Sequence, residues 1–232
     1  MKIEIWSDIV CPWCYIGSRN LEQALASFAH ADEVEVVWRA YELDPNAPAE
    51  RQGTYVEHLA RKYGTDPEQA RAQLDRIVSA GAEAGVDLRF DEARPGNTFD
   101  AHRLLHLARE RGVQRRLKER LFAATFTEGR PIGDRDTLVS LAADVGIPEG
   151  EARRTLDDED FASQVKAEES AAHDLGVRGV PFLVFDRRLA VSGAQPPDVL
   201  LEVLDRAWRD ANPGEPADIP GGTACEGVAC DM

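Results

Sequence analysis

Two cysteines, Cys11 and Cys14, stand three residues apart where an apolar strand pattern at residues 2–6 gives way to a helix beginning near Pro12. A cysteine at a helix N-terminus lies beside unpaired backbone N–H groups and the positive end of the helix dipole, which stabilise the thiolate. We therefore predict a lowered pKa for Cys11. Cys14 follows one helical turn later, nearer the buried body of the helix, and is expected to resolve a mixed disulfide formed at Cys11.

The two residues between the cysteines suit this chemistry. Pro12 fits the first position of a helix because its φ is already fixed there, and Trp13 offers an apolar ring on which a substrate can rest. The alternative is half of a zinc site, since a second pair, Cys225 and Cys230, lies near the end of the chain. Redox chemistry is favoured and no metal is predicted.

Charge and hydropathy narrow the class of protein. Hydrophobic residues make up 43% of the 232 residues, enough for a sizeable core. A net charge of −15 would repel nucleic-acid phosphates and anionic lipid, so neither nucleic acid nor a membrane is an expected partner. The sequence shows no secretory leader pattern and no apolar run of about 18 residues, which indicates a cytoplasmic protein. Cysteines in such a compartment are typical of catalytic, redox-sensing or metal sites.

The strand signals lie at the two ends of the chain. Apolar patterns predict strands at residues 2–6 and 34–40 on either side of a helix at about 12–29, which is a β-α-β unit. A hairpin of strands at 182–185 and 189–191 and a helix at 197–209 are predicted near the other end.

The long segment between these ends has helical periodicity and predicts an inserted helical subdomain. Asp66 with Pro67, Asn97 with Thr98, and Asp134 are predicted to begin helices within it. The predicted fold is therefore α/β. A discontinuous domain of residues 1–42 and 177–211 is expected to enclose an insertion at 43–176, followed by a flexible tail at 212–232.

Taken together, these features resemble the thioredoxin superfamily, in its DsbA-like branch, and most closely FrnE-like thiol oxidoreductases. The motifs that carry the resemblance are Ser7-Asp8-Ile9-Val10-Cys11-Pro12-Trp13-Cys14-Tyr15-Ile16-Gly17, Asn97-Thr98-Phe99-Asp100-Ala101-His102, Gly179-Val180-Pro181-Phe182 and Ser192-Gly193-Ala194-Gln195. The resemblance implies a thioredoxin-like fold with a large inserted helical subdomain.

The resemblance also implies roles for residues distant from the cysteines. Pro181 is expected to be cis and to pack against the cysteine pair, leaving the backbone of Val180 free to pair with a substrate strand. Asn97 and His102 match a stretch that contributes to the substrate cleft in related isomerases, although helix capping and helix packing are favoured for them. Some relatives also carry a second cysteine pair near the C-terminus, so Cys225 and Cys230 are expected to exchange with Cys11 and Cys14 or to modulate them.

Three functions remain in competition. The leading hypothesis is an oxidase, reductase or isomerase of protein disulfides, acting on cysteine-containing proteins with glutathione as a candidate redox partner or co-substrate. The second is a glutathione-dependent or polyketide isomerase of small aromatic compounds, like the related 2-hydroxychromene-2-carboxylate isomerases, which typically place serine where Cys11 stands. The third is a zinc-holding or chaperone-like protein that binds partners through Trp13 and the helical insertion.

Overall fold

The computed structural model describes residues 1–213. Its elements in chain order are β1 (Lys2–Ser7), α1 (Pro12–Ser27), β2 (Glu35–Ala40), α2 (Tyr55–Tyr63), α3 (Pro67–Glu83), α4 (Phe99–Glu110), α5 (Gln114–Phe126), α6 (Arg135–Asp144), α7 (Glu149–Asp157), α8 (Ala162–Asp174), β3 (Phe182–Phe185), β4 (Leu189–Ser192) and α9 (Pro197–Ala211). Cys225 and Cys230 lie outside the described residues. None of the helices in the described part combines the length and the hydropathy that a membrane-spanning segment requires.

The four strands form one mixed sheet in the order β2-β1-β3-β4. β1 and β2 are parallel, as the crossover through α1 requires, while β3 runs antiparallel to β1 and forms a hairpin with β4. Apolar residues of β1 and β3, including Ile5 and Leu183, pack with Leu21 of α1 and Leu204 of α9 into one core cluster. The predicted thioredoxin-like α/β fold is confirmed.

Seven helices, α2–α8, form the predicted helical insertion between β2 and β3. Its apolar residues do not make a separate body. Ile9, in the loop before the cysteines, belongs to the same buried cluster as Leu104 of α4 and Leu138 of α6. The division at residues 43 and 176 therefore remains a prediction about sequence organisation.

The predicted helix starts agree with the side chains that cap them. Asp66 accepts a hydrogen bond from the Gln69 N–H at 2.8 Å, and Asp134 accepts one from the Thr137 N–H at 2.8 Å. At α4 the Asn97 Oδ1 accepts from the Phe99 N–H at 3.0 Å. These caps satisfy backbone N–H groups that the first turn of a helix leaves unpaired.

The helical insertion is fastened to the edge strand β2 by side-chain to backbone hydrogen bonds. Gln114, at the start of α5, accepts from the Trp38 N–H at 3.1 Å and donates to the Trp38 carbonyl at 3.0 Å. Glu168 of α8 accepts from the Ala40 N–H at 2.8 Å. These bonds occupy an edge that would otherwise be open to pairing, and they fix α5 against the sheet below the cysteines.

Candidate active site

The end of β1 and the start of α1 position the two cysteines. Cys11 is the N-cap of α1 and Pro12 occupies its first turn, as predicted from the sequence. The Cys14 N–H donates to the Cys11 carbonyl at 3.0 Å, and the Cys11 N–H donates to the Asp8 carbonyl at 3.3 Å. Both cysteines are thiols here, with 5% of Cys11 and none of Cys14 exposed, so Cys11 is the one that a substrate can reach.

The two thiols differ in acidity. The pKa of Cys11 is lowered, chiefly by the neighbouring Cys14 thiol and to a smaller extent by the backbone N–H groups of Cys14 and Trp13, despite burial and the nearby charge of Asp8. Burial raises the pKa of Cys14 well above its ordinary value, and Cys11 adds to this rise. At neutral pH, therefore, Cys11 is the better nucleophile and Cys14 retains its proton.

A loop from the other end of the chain lies against the cysteines. The Val180–Pro181 peptide bond is cis, and the Cys11 thiol donates to the Val180 carbonyl at 3.5 Å. Gly17 permits this close approach of α1, because a Cβ atom there would lie 3.1 Å from Pro181 Cγ. The loop is also tied to the segment after β4, since the Gly193 N–H donates to the Pro181 carbonyl at 2.8 Å.

A buried lysine lies behind Cys14. Lys118 of α5 has no exposed surface, and its Nζ donates to the Ser7 carbonyl at 3.4 Å. Its Nζ also lies 5.0 Å from the centre of the Phe122 ring and 5.5 Å from that of Trp38, within the range of cation–π attraction. Within residues 1–213 no carboxylate lies within 4 Å of this ammonium group. Burial lowers the pKa of Lys118 to about 8, against the opposing charges of Cys14, Asp8 and Cys11.

Asp8 lies beside a buried histidine, His102, and its pKa is also affected by the charge of Lys118. Asp8 Oδ2 accepts from the Leu43 N–H at 2.8 Å, and Oδ1 lies 3.5 Å from His102 Nε2, which is long for a hydrogen bond. Burial would raise the pKa of Asp8, but His102, the Leu43 N–H and Lys118 outweigh it and hold that pKa below its ordinary value. Burial together with Lys118 lowers the pKa of His102. Asp8 is thus a buried carboxylate, and His102 is neutral at pH 7.

A cleft of about 760 Å³ opens beside Cys11. Pro12, Trp13 and Val180 line it, and Trp13 is 40% exposed. Asn97 and His102 do not line the cleft. Asn97 caps α4, and His102 contacts Asp8, which does line the cleft.

Sequence reasoning did not assign a role to Lys118 or Asp8. Lys118 could have been noticed, because it lies one helical turn from both Gln114 and Phe122, on a face of α5 that is otherwise buried and largely apolar. A cation on such a face requires a nearby charge or dipole. Asp8 stands inside the cysteine motif, three residues before Cys11, but the sequence does not show that it is buried.

The sequence and the structure are both similar to those of known proteins. Residues 2–205 match the model of the DSBA-like thioredoxin domain. The structure is similar to that of a probable DsbA oxidoreductase from Streptomyces coelicolor, with 41% identity, 100% of each chain covered and a TM-score of 0.87.

Two further proteins are more distant. The uncharacterised protein YwbO of Bacillus subtilis is 28% identical over 207 residues, which are 88% of this chain and 96% of that protein. A 2-hydroxychromene-2-carboxylate isomerase is 14% identical, with a TM-score of 0.67 over 91% of this chain and 98% of the isomerase chain. At that identity the isomerase shares the fold alone.

Proposed function

Because this chain belongs to the family of DSBA-like thioredoxin domains, we propose that it is a thiol-disulfide oxidoreductase whose redox pair is Cys11 and Cys14. One observation carries the proposal. An acidified, substrate-accessible Cys11 stands next to a fully buried Cys14 of raised pKa, and both lie against the Val180–Pro181 loop. That pairing of a nucleophile with a resolving thiol is what exchange through a mixed disulfide requires.

In the first step the Cys11 thiolate attacks one sulfur of a substrate disulfide. A Cys11–substrate disulfide forms, the substrate S–S bond breaks, and the second substrate sulfur leaves as a thiolate. The backbone N–H groups of the first turn of α1 favour the thiolate form of Cys11 before the attack. The low pKa also makes Cys11 a good leaving group when the reaction runs in reverse.

In the second step Cys14 loses its proton and attacks the Cys11 sulfur of the mixed disulfide. The Cys11–Cys14 disulfide forms, the remaining substrate sulfur leaves as a thiolate, and the protein has given two electrons to the substrate. Burial opposes this deprotonation, whereas the charge of Lys118 favours it. Lys118 therefore acts as a positioning residue that stabilises the buried Cys14 thiolate.

The loop at Val180 supplies a docking edge for the substrate. Among the described residues, the Val180 N–H makes no backbone hydrogen bond. Within residues 1–213 the Val180 carbonyl accepts only the long contact from the Cys11 thiol, which an attacking Cys11 would give up. An extended peptide could pair with both groups and present its cysteine to Cys11, so cysteine-containing proteins are the proposed substrates. Exposed Trp13 would cover the apolar side of such a segment.

The two alternative functions have less support from the structure. The isomerase alternative rests on a shared fold, and a fold does not carry an activity with it. A zinc site at Cys11 and Cys14 would need ligands from beyond residue 213, because no group of three candidate ligands occurs within the described part.

The proposal is tested by equilibrating the protein in glutathione buffers of graded potential, trapping the thiols and mapping each cysteine by mass spectrometry. We expect a reversible Cys11–Cys14 disulfide. A potential above about −280 mV would make the protein an oxidant in a cytosolic environment, and a lower one a reductant. Failure to form this disulfide at any potential would refute the assignment.

A pair of variants separates the roles of the two thiols. Cys14→Ser should accumulate a mixed disulfide at Cys11, because the resolving thiol is missing. Cys11→Ser should form no adduct, because Cys14 is buried and keeps its proton. Equal adduct formation by both variants would contradict the division of roles.

A further inference from the structure

The cleft beside Cys11 differs in charge from the rest of the molecule. The whole chain carries a net charge of −15, yet among residues 1–213 four cations and two carboxylates line the cleft. The cations are Arg51, Lys62, Arg76 and Arg178, and the carboxylates are Asp8 and Asp44. Such a local excess of positive charge inside an acidic protein raises the local concentration of anions at that point.

Both carboxylates of the cleft are already engaged. Asp44 Oδ2 lies 2.5 Å from Arg51 Nη2, so these two charges offset each other. Asp8 is buried and accepts from the Leu43 N–H. Burial and the charge of Arg51 lower the pKa of His58, which lines the same cleft and is therefore neutral at pH 7.

The remaining three cations are open to a ligand. Lys62 of α2, Arg76 of α3 and Arg178 of the loop before Val180 are exposed at the rim of the cleft. Within residues 1–213, none of the three has a carboxylate within 4 Å. Lys62 lies over the Tyr63 ring, and Arg76 donates only to the carbonyl of Ala72 on its own helix.

Apolar side chains also form part of the cleft wall. Tyr55, Leu59 and Ile77 pack against the cluster that contains Cys11 and also line the cleft. Burial and the proximity of Cys11 raise the pKa of Tyr55, so its ring stays uncharged beside the thiol. A ligand bound in the cleft would therefore contact both apolar side chains and cations.

Size and charge together select a small ligand. A volume of about 760 Å³ lies within the roughly 300–1,000 Å³ of small-molecule sites. An acidic protein would meet the negative surface as a whole, whereas a small anion inside the cleft would lie next to the lining cations, and salt screens charges beyond about 8 Å. The size and charge of the cleft therefore favour a low-molecular-weight anion over an acidic protein.

From these observations we infer that the cleft binds a low-molecular-weight disulfide whose carboxylates contact Lys62, Arg76 and Arg178 while its sulfur lies against Cys11. This inference rests on the proposed exchange activity and names a substrate class for it. The small disulfide is the oxidant. Its two sulfurs leave in succession as thiolates, and the Cys11–Cys14 disulfide and two protons are the other products.

The test compares three small disulfides at low ionic strength with the full-length reduced protein. The probes are glutathione disulfide, which is anionic, bis(2-hydroxyethyl) disulfide, which is neutral, and cystamine, which is cationic. Each rate of Cys11–Cys14 disulfide formation is divided by the rate of the same probe with dithiothreitol, to remove intrinsic reactivity. We expect the normalised order anionic, neutral, cationic, with a preference that shrinks as salt is added.

Matched triple variants locate the preference. Lys62→Gln, Arg76→Gln and Arg178→Gln together should reduce the preference for the anionic probe about tenfold, since each exposed contact contributes modestly. The control, Arg61→Gln, Arg154→Gln and Lys166→Gln, makes the same change in net charge at exposed positions that do not line the cleft. The control should keep the preference.

Two failures are distinguishable. If the neutral probe oxidises the wild-type pair but the anionic preference is absent, or is lost equally in both triple variants, the charge inference is wrong and the exchange activity stands. If no probe oxidises Cys11 and Cys14 in any variant, the proposed function fails, and the inference fails with it.

Discussion

At the scale of single residues, the proposed exchange requires the Cys14 thiol to ionise although burial opposes it. Cys14 is fully buried with a raised pKa, and the charge of Lys118 opposes that rise. Lys118 is itself unfavourably buried, as its lowered pKa shows. A lysine held in such a place at a cost in stability is typical of a functional group, because an apolar side chain there would usually stabilise the fold more.

Replacing this cation should affect one step of exchange. We expect Lys118→Met to slow attack by Cys14 on the mixed disulfide about tenfold at neutral pH, because the Cys14 thiolate loses its stabilising charge. Attack by Cys11 should change much less. Rapid quenching with an alkylating reagent, followed by mass spectrometry, resolves the dithiol, the mixed disulfide and the disulfide. Lys166→Met, at an exposed site on α8, is the control, and equal slowing of both steps would contradict the assigned role.

Lys118→Met should also change how the free energy of unfolding depends on pH. The folded protein loses the Lys118 proton near pH 8, whereas the unfolded chain keeps it to about 10.5. The unfolded state therefore binds more protons in this window, and the free energy of unfolding should rise with pH by roughly 3 kcal/mol from this group. Urea unfolding of the oxidised protein, in which neither active-site thiol titrates, should show that rise in the wild type and lack it in Lys118→Met. Parallel pH curves would show that Lys118 is not perturbed.

At the scale of elements, the sequence predicts features that depend on neighbouring residues, but not features that depend on contacts between distant segments. The strands, α1, α9 and the capped helix starts were predictable because alternation and capping are local properties of the chain. The cysteine pair was predictable for the same reason. The roles of Lys118 and Asp8 were not, since they depend on α5 packing against β2 through Gln114, a contact between segments 76 residues apart.

The contact between α1 and the Val180–Pro181 loop gives a prediction at this scale. In a helix interior, Gly→Ala normally stabilises by up to about 1 kcal/mol. At Gly17 the new methyl group would lie 3.1 Å from Pro181 Cγ, so we expect Gly17→Ala to lose that gain and to lower the exchange rate by moving the loop away from Cys11. Urea midpoints and exchange rates measure the two effects. Gly150→Ala in α7, where a Cβ meets nothing within 4 Å, is the matched control, and similar stabilisation at both positions would refute the close contact.

At the scale of the whole molecule, the candidate active site is built from both the sheet region and the helical insertion. Cys11 and Cys14 share a buried cluster with Leu74 of α3 and Phe122 of α5. The proposed nucleophile and the proposed docking loop come from the sheet region, whereas Lys118 and two of the three exposed cleft cations come from the helical insertion. The insertion thus supplies the features that would distinguish this protein's substrates from those of the bare fold.

The second cysteine pair, Cys225 and Cys230, is predicted from the sequence to exchange with Cys11 and Cys14. From Pro213, the last described residue, to Cys225 is a stretch of 12 residues rich in proline and glycine. The sequence predicts a flexible linker there, which would span about 40 Å when extended. The C-terminal end of α9 lies beside the β3–β4 turn, since Arg188 Nη1 donates to the Asp210 carbonyl at 3.0 Å, and this turn is at the end of β3 opposite to Pro181. Contact between the tail thiols and Cys11 would therefore require a largely extended linker. If the tail thiols do meet Cys11, the covalent tether would raise their effective concentration there and favour exchange.

Replacing the tail thiols tests this relay. If Cys225 and Cys230 exchange with the Cys11–Cys14 disulfide, the double variant Cys225→Ser and Cys230→Ser should lose internal re-reduction of that pair and shift its apparent potential. Stability should hardly change, since a loop closed within the tail does not bridge the core. Thiol trapping at graded potentials, with the wild type in parallel, measures the shift. The relay is refuted if every exchange rate and potential of the Cys11–Cys14 pair is the same with and without the tail thiols, because a coupled pair must alter at least one of them.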